Sequence, residues 1–426
     1  MLVSLKQGRA SVRIAGAFAD PARTGDRWLL FALYLLLTLC RMPAVVLQGR
    51  FWAEEGRRFY FDAARYPWYH VLVKSYAGYL NLSANLAAVA ARHLVPLEYG
   101  PRVTFAFALL AQAAPAILLV TSRAALLQSR LALALALFLL AAAPSAEEVW
   151  LNTLHSQFQL AVCVGLILAL DPEPGWLRKF LLFLAPLYGV VSIILLPLFA
   201  LRTAIDRSRA RLVETLILGA GSAIQLGFFF HQVGGRQSLD LKLIFATFFA
   251  KNIVLPLLSF GGSQPIATWL HAALDRGQLP IAVMVTIVLA VALVVALLWR
   301  GPAAARWLAA ASAALALVSY YGALLVTNDM VEPHLGNRYA FAPQVLFAWS
   351  LLLIAASGLG LAPRIAAFLV LWLCLASTDA YLHPAAIFAH GPDWSAEVAK
   401  WRHNPNYSPL VWPGGFWRVP MPLPAN

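Results

Sequence analysis

Trp28-Leu-Leu-Phe-Ala-Leu-Tyr-Leu-Leu-Leu-Thr-Leu-Cys40-Arg41-Met42-Pro43-Ala-Val-Val-Leu47 runs, three residues on, into Phe51-Trp52-Ala53-Glu54-Glu55-Gly56-Arg57-Arg58-Phe59-Tyr60. The first stretch is twenty almost wholly apolar residues, enough to cross a bilayer as a helix. The second puts two adjacent carboxylates, two arginines and an aromatic collar where that helix emerges. Carboxylates at a membrane boundary are costly to keep, because desolvation and mutual repulsion both oppose their charge. Their position therefore marks a candidate site for a charged, membrane-bound substrate. The plainer alternative is a solvated interfacial loop.

Working outward, the composition agrees with a membrane chain. Of 426 residues, 61% are hydrophobic and 12% charged, and the mean hydropathy is +0.72. Soluble domains carry about a quarter charged residues, so an integral membrane protein is the reading. The net charge of +13 would suggest nucleic acid in a soluble protein. Here it is assigned to cytoplasmic loops and to contacts with anionic lipid or phosphate, and no nucleic-acid partner is expected. Cys40, Cys163 and Cys374 all sit in apolar runs, so neither a disulfide framework nor a metal cluster follows from them.

Lys6, Arg9, Arg13, Arg23 and Arg27 precede the first run, so residues 1–27 are expected in the cytoplasm with the first helix an uncleaved anchor. The expected fold is an all-α polytopic membrane protein of about eleven spans over residues 28–378. The spans fall near 28–47, 103–121, 131–143, 157–170, 212–230, 280–298, 307–326, 340–356 and 365–378, with a short broken pair over 180–200 at Pro186, Gly189 and Pro197. The outer loops are 48–101, 144–156, 231–279 and 327–339, and 379–426 forms a Trp-rich outer tail. In the first loop, Gly78 to Leu94 reads as a helix lying at the interface, and Leu239 to Leu258 reads as an amphipathic outer stretch before a Gly261-Gly262 turn. Basic residues fill the short inner loops, whereas acids concentrate outside, which is where chemistry is sought.

Three outer loops carry the candidates. The first holds Glu54, Glu55, Arg57, Arg58, Asp62, His70 and Lys74, with Asn81 and Asn85 one helical turn apart downstream. The second holds Glu147, Glu148, Asn152 and His155, and the late one holds His334, Arg338 and Tyr339. A general base that activates a hydroxyl is a carboxylate or His. A phosphate leaving group wants Arg or Lys, with Arg favoured for its fork. Each candidate also has a plain reading: Glu147-Glu148 as a loop end, His155 as an interfacial histidine, Asn81 as a backbone partner, Arg338 as a snorkelling anchor.

The layout resembles the GT-C superfamily of membrane glycosyltransferases, which includes protein O-mannosyltransferases, oligosaccharyltransferases and the aminoarabinose transferases of lipid A. The resemblance rests on Glu54-Glu55 after the first span, interfacial helices in the first outer loop and a polar second outer loop. It also rests on the half-length pair at 180–200 and on Arg338-Tyr339 to Pro343 opening a late span. Phe-Trp-Ala-Glu-Glu-Gly with Gly-Tyr-Leu-Asn-Leu downstream is also similar to uncharacterised bacterial membrane proteins near that superfamily. The resemblance implies inverting transfer of a sugar from a polyprenyl-phosphate donor to a glycan, lipid or protein acceptor. The reaction would take place on the periplasmic face of a bacterial inner membrane. It implies Glu54 or Glu55, with a slight preference for Glu55, as the base. Arg338 would hold the phosphate, assisted by Arg57, Arg58 or Lys74. Glu147, Glu148, His155, Asn81, Tyr339 and His334 are candidates for further substrate contacts. Relatives more often carry at least one Asp where this chain has Glu-Glu, so a divalent cation stays open as a cofactor. The competing functions are a flippase or transporter of lipid-linked sugar, which would need ionisable groups in mid-span such as Arg41, and a polysaccharide polymerase or ligase relying on arginines and a histidine in a late loop.

Overall fold

The computed structural model describes residue 18 and residues 20–230, 240–299, 301–323 and 327–420. Lys6, Arg9 and Arg13 of the expected cytoplasmic segment, residues 231–239 of the expected outer loop, Arg300, residues 324–326 and the end of the tail lie outside them.

The chain is all-α and polytopic. Among the described residues seven helices are long and apolar enough to cross a membrane: Leu97–Thr121, Arg209–Phe229, Leu241–Asp275, Ile281–Trp299, Ala303–Gly322, Arg338–Ala355 and Leu361–Leu382. The pair Trp176–Leu187 and Val191–Asp206, bent by 118°, makes eight if it counts as one crossing. Its break falls where Pro186 and Gly189 interrupt the helix, Gly189 standing at φ 157.

The expected count of about eleven is corrected by two kinds of difference. The first apolar run stops at Cys40 after 17 helical residues and restarts at Pro43, so it is two helices rather than one span. The helices Arg130–Ala142 and Ser156–Ala169 have 13 and 14 residues. At 1.5 Å per residue they reach about 20 Å, short of the ~30 Å hydrocarbon core. Conversely, the stretch read as an outer segment is helical from Leu241 to Asp275. It kinks at Ser259, which adopts φ 56, and resumes straight through Gly261-Gly262, so no turn forms there.

Every residue of Ser156–Ala169 is buried, as a helix that is apolar all round requires. It is the axis of the bundle. Its C-terminal carbonyls would be orphaned in that setting. Three arginines satisfy them: Arg178 and Arg211 donate to Ile167 O, Arg202 to Leu168 O and Arg211 to Leu170 O, with Glu214 bridging Arg178 and Arg211. Beside this axis, Gly221 of Arg209–Phe229 meets the bent pair. A Cβ there would stand 2.5 Å from the backbone oxygen of Phe183. Gly221→Ala should therefore lower stability by about 1–3 kcal/mol through overpacking. A detergent thermal melt measures it, with Gly227→Ala, which meets nothing within 4 Å, as the comparison.

Among the described residues two short π turns interrupt the helical winding, at Glu55–Tyr60 and at Phe249–Val254. The first loop also contains the helices Phe61–Arg65, Trp68–Leu72 and Leu82–Leu94. Between them lies a two-residue hairpin, Ser75–Tyr76 against Tyr79–Leu80. Ala77 and Gly78 both take positive φ, 53° and 94°, the turn that suits the twist of a tight hairpin. Gln225 clamps it, accepting from Leu80 N–H and donating to Leu80 O.

Candidate functional site

The polar centre of the protein is the loop between Ala142 and Ser156 rather than the stretch 51–60. Residues 143–156 are buried throughout, so their backbone and side-chain polar groups all need internal partners. Trp150 is fully buried, donates from its indole to Thr38 O at 3.2 Å, and carries the Arg41 guanidinium 4.8 Å from its ring centre. Leu151, at φ 46, donates its N–H to Gln112 Oε1.

Glu147 and Glu148 are therefore not a solvated loop end. Glu147 Oε1 accepts from His334 Nδ1 at 2.9 Å and from Asn337 Nδ2 at 3.2 Å, and its Oε2 accepts from Ala385 N–H. Glu148 accepts from the Arg338 guanidinium and, through Oε2, from Arg338 N–H at 2.9 Å. Burial opposes the Glu148 charge, but Arg338 outweighs it and holds the carboxyl below its ordinary range. Arg338 also lies over the Tyr339 ring at 4.6 Å, with about a third of its side chain still open (32%). So the two neighbouring carboxylates bring the late-loop residues His334, Arg338 and Tyr339 together.

Glu55 is tied into the same loop from the other side. Its Oε1 accepts from Thr153 N–H at 2.6 Å and Thr153 Oγ1 at 2.5 Å, and its Oε2 from Trp52 N–H at 2.7 Å. Burial raises its pKa, against the Thr153 and Trp52 hydrogen bonds and the nearby Arg50. Both oxygens are occupied, which makes Glu55 a cross-link. Glu54 differs: it is half-buried and has no hydrogen-bond or ion-pair partner among the described residues. The Tyr79 phenol, presented by the hairpin, is pushed up to about 12 by burial and by Tyr339, and it also feels Arg338 and Glu54. Gln157 donates to that phenol at 3.4 Å. Tyr339, Arg338 and Glu54 thus all act electrostatically on the Tyr79 phenol.

The other expected phosphate ligands have partners of their own. Arg58 and Lys74 both pair with buried Asp62, at 3.1 and 2.9 Å, and Arg57 lies over Trp417 at 5.5 Å. Asp62 sits one helical turn after Arg58 and offers one carboxylate to both cations. Asn81 caps the helix at Ala84 N–H and donates to Leu154 O. Asn85 donates to Leu72 O and Lys74 O.

His155 Nδ1 lies 2.8 Å from Glu148 O. A carbonyl accepts only, so that nitrogen carries the proton and Nε2 is the basic one. Burial, aided by Arg338 and Arg50, lowers its pKa from 6.5 to about 4. The unfolded chain therefore binds a proton that the folded chain refuses. Its stability contribution is full above pH 6.5 and is lost as pH falls toward 4, by up to about 3 kcal/mol. Thermal midpoints measured from pH 7.5 to 4.5 should fall in the native protein and flatten in His155→Gln.

Three participants were missed. Lys251, fully buried, donates from Nζ to Asn337 Oδ1 at 2.8 Å and to Glu332 O. It was read as part of an outer amphipathic stretch, and an isolated Lys gives no other signal. Arg50 donates to Trp150 O at 2.5 Å and Phe388 O at 2.8 Å, and burial lowers its pKa to about 10. Thr153 carried no pattern at all. Among the described residues no group of three or more His, Cys, Asp or Glu side chains could hold a metal ion, and all three cysteines are free. A cavity of about 260 Å³ opens at the far end of Gly100–Thr121 and Ser156–Ala169, by Ser122, Arg123, Glu173 and Trp176, and none of the expected site residues lines it. Compared with family models, with curated proteins and with solved structures, the chain gives no match.

Proposed function

We propose that this multi-pass membrane protein is a glycosyltransferase of GT-C type. It moves a sugar from a polyprenyl-phosphate donor to an acceptor hydroxyl on a glycan, lipid or protein, at the periplasmic face of a bacterial inner membrane. The observation that carries the reading is Arg338, held by the buried Glu148 with about a third of its side chain (32%) exposed, together with Glu54, a carboxylate without a hydrogen-bond or ion-pair partner among the described residues that acts on the same Tyr79 phenol as Arg338. Glu54, rather than Glu55, takes the proton from the acceptor oxygen as that oxygen attacks the anomeric carbon. The bond to the phosphate oxygen breaks on the opposite face, which inverts the centre. Arg338 receives the departing phosphate with the guanidinium nitrogens that Glu148 leaves unbound. Fixed in place by Glu148, it needs no reorganisation as charge develops.

The test is transfer from a synthetic polyprenyl-phosphate sugar in proteoliposomes. Glu54→Gln should lose about 10²-fold or more in kcat with an unchanged melting temperature. Full activity in that variant contradicts the assignment. A second reading, a polysaccharide polymerase or ligase, is favoured by the late loop, where His334 stands 2.9 Å from Glu147 and four residues before Arg338. It is the reading left if Glu54→Gln is active while His334→Asn is dead.

A further inference from the structure

The Trp-rich tail folds back on the residues that carry Glu54. Trp394 donates its indole N–H to Leu97 O at 2.9 Å, and Glu397 gathers Tyr407 Oη, Leu410 N–H and Lys400 Nζ at 2.6–2.8 Å. The segment so fixed runs alongside 51–53: Trp412 N–H donates to Phe51 O at 3.0 Å, and Ala53 N–H donates to Trp412 O at 2.5 Å. The Trp412 ring is buried, donates to Pro392 O at 2.9 Å and flanks the Arg50 guanidinium, whose other neighbour is the Trp52 ring. Val411 closes on Gly56, where a Cβ would stand 2.6 Å from Val411 Cγ1. Ala53, held by this segment, has φ 43, the left-handed region that alanine avoids. Such a conformation persists only where its surroundings over-determine it.

We infer that Trp412 is a positioning residue for Glu54, acting through the strained backbone of Ala53. Ala53 is the residue before Glu54, so its φ and ψ set the direction in which the Glu54 carboxylate leaves the chain. Without the tail, Ala53 relaxes to negative φ, and the Glu54 carboxylate leaves the chain in another direction. This rests on Glu54 being the reacting carboxylate. A misplacement of about 1 Å in a catalytic group is enough to cost about 10²-fold.

The full chain is compared with Trp412→Ala, the milder Trp412→Phe, and Trp412→Ala combined with Ala53→Gly. Two readouts are used: hydrogen exchange of residues 51–60, and kcat and KM with the polyprenyl-phosphate sugar. Trp412→Ala should speed exchange at Ala53 at least tenfold and lower kcat at least tenfold with KM within twofold, and Trp412→Phe should fall between. Ala53→Gly, which takes positive φ without strain, should recover at least a third of the lost kcat. Unchanged exchange at Ala53, or faster exchange with kcat intact, overturns the inference. A native protein that transfers no sugar sinks the glycosyltransferase reading instead, and exchange at Ala53 with the Gly rescue of the native pattern at 51–60 still decides the coupling.

Discussion

Arg338→Ala and Glu148→Ala should each destabilise the protein by about 3 kcal/mol, far more than a surface pair of the same residues. Removing one partner of a buried ion pair leaves an uncompensated charge, typically at 3–5 kcal/mol. Glu148 meets that condition, with 7% of its side chain exposed, whereas Arg338 is 32% open, which puts the expected loss at the lower end. Arg338 contributes twice, through its guanidinium and through its own N–H. In Arg338→Ala the backbone donor stays, so Glu148 keeps one hydrogen bond and loses its counter-charge. The double substitution should cost less than the sum of the singles, by about 1–3 kcal/mol, because contacting residues couple. Thermal and denaturant unfolding in one detergent give all three numbers. Single losses under about 1 kcal/mol would place the pair among exposed ones and remove the argument that the carboxylate pre-positions Arg338.

Glu55→Ala should be comparably damaging, for a different reason. Three donors, Thr153 N–H, Thr153 Oγ1 and Trp52 N–H, end on its carboxylate. Each buried donor left unmade costs about 1–3 kcal/mol, so a loss of about 3 kcal/mol or more is expected after partial relaxation. Glu55→Gln keeps one acceptor oxygen but turns an NH2 group toward a donor, which should cost about 1–3 kcal/mol. Thr153→Val, which removes only the hydroxyl, should cost about 1 kcal/mol. The adjacent Glu54→Gln has no such bonds to lose and should melt with the native protein. Unfolding measurements on this set separate the two glutamates without any activity assay. Equal melting temperatures for Glu55→Ala and Glu54→Gln would end the cross-link assignment.

Much of the architecture was legible because it rests on composition and on chain breakers. The apolar runs announced a polytopic helical protein, and Pro186 with Gly189 announced the bent pair, since each acts on the backbone wherever it sits. The span count was not legible, because it depends on lengths that tertiary packing sets. Ser156–Ala169 is apolar enough for a membrane yet serves as a short central axis capped by Arg178, Arg202 and Arg211. The candidate site was half legible. Glu54, Glu55 and Arg338 were picked out by charge and position. Which glutamate is engaged was not, because Thr153 and Trp52 use backbone N–H groups that every residue carries. Arg58 and Lys74 looked like free cations because their partner, Asp62, sits in an unremarkable helix. Lys251 escaped because its neighbours Asn337 and Glu332 arrive from a loop some eighty residues away.

The two π turns give the site a sensitivity to chain length as well as to side-chain type. Each winds an extra residue into a helix, so the parts before and after it are out of phase by about 100° relative to regular α winding. Lys251 lies inside the second turn and Glu55 opens the first. Deleting one residue within Phe249–Val254 would remove that extra residue, so the helices on either side would keep their phase while Lys251, inside the turn, would lose its present direction toward Asn337 and Glu332. In this protein a single missing amino acid in a helical turn would unseat a buried cation from the polar centre as surely as a substitution of that cation.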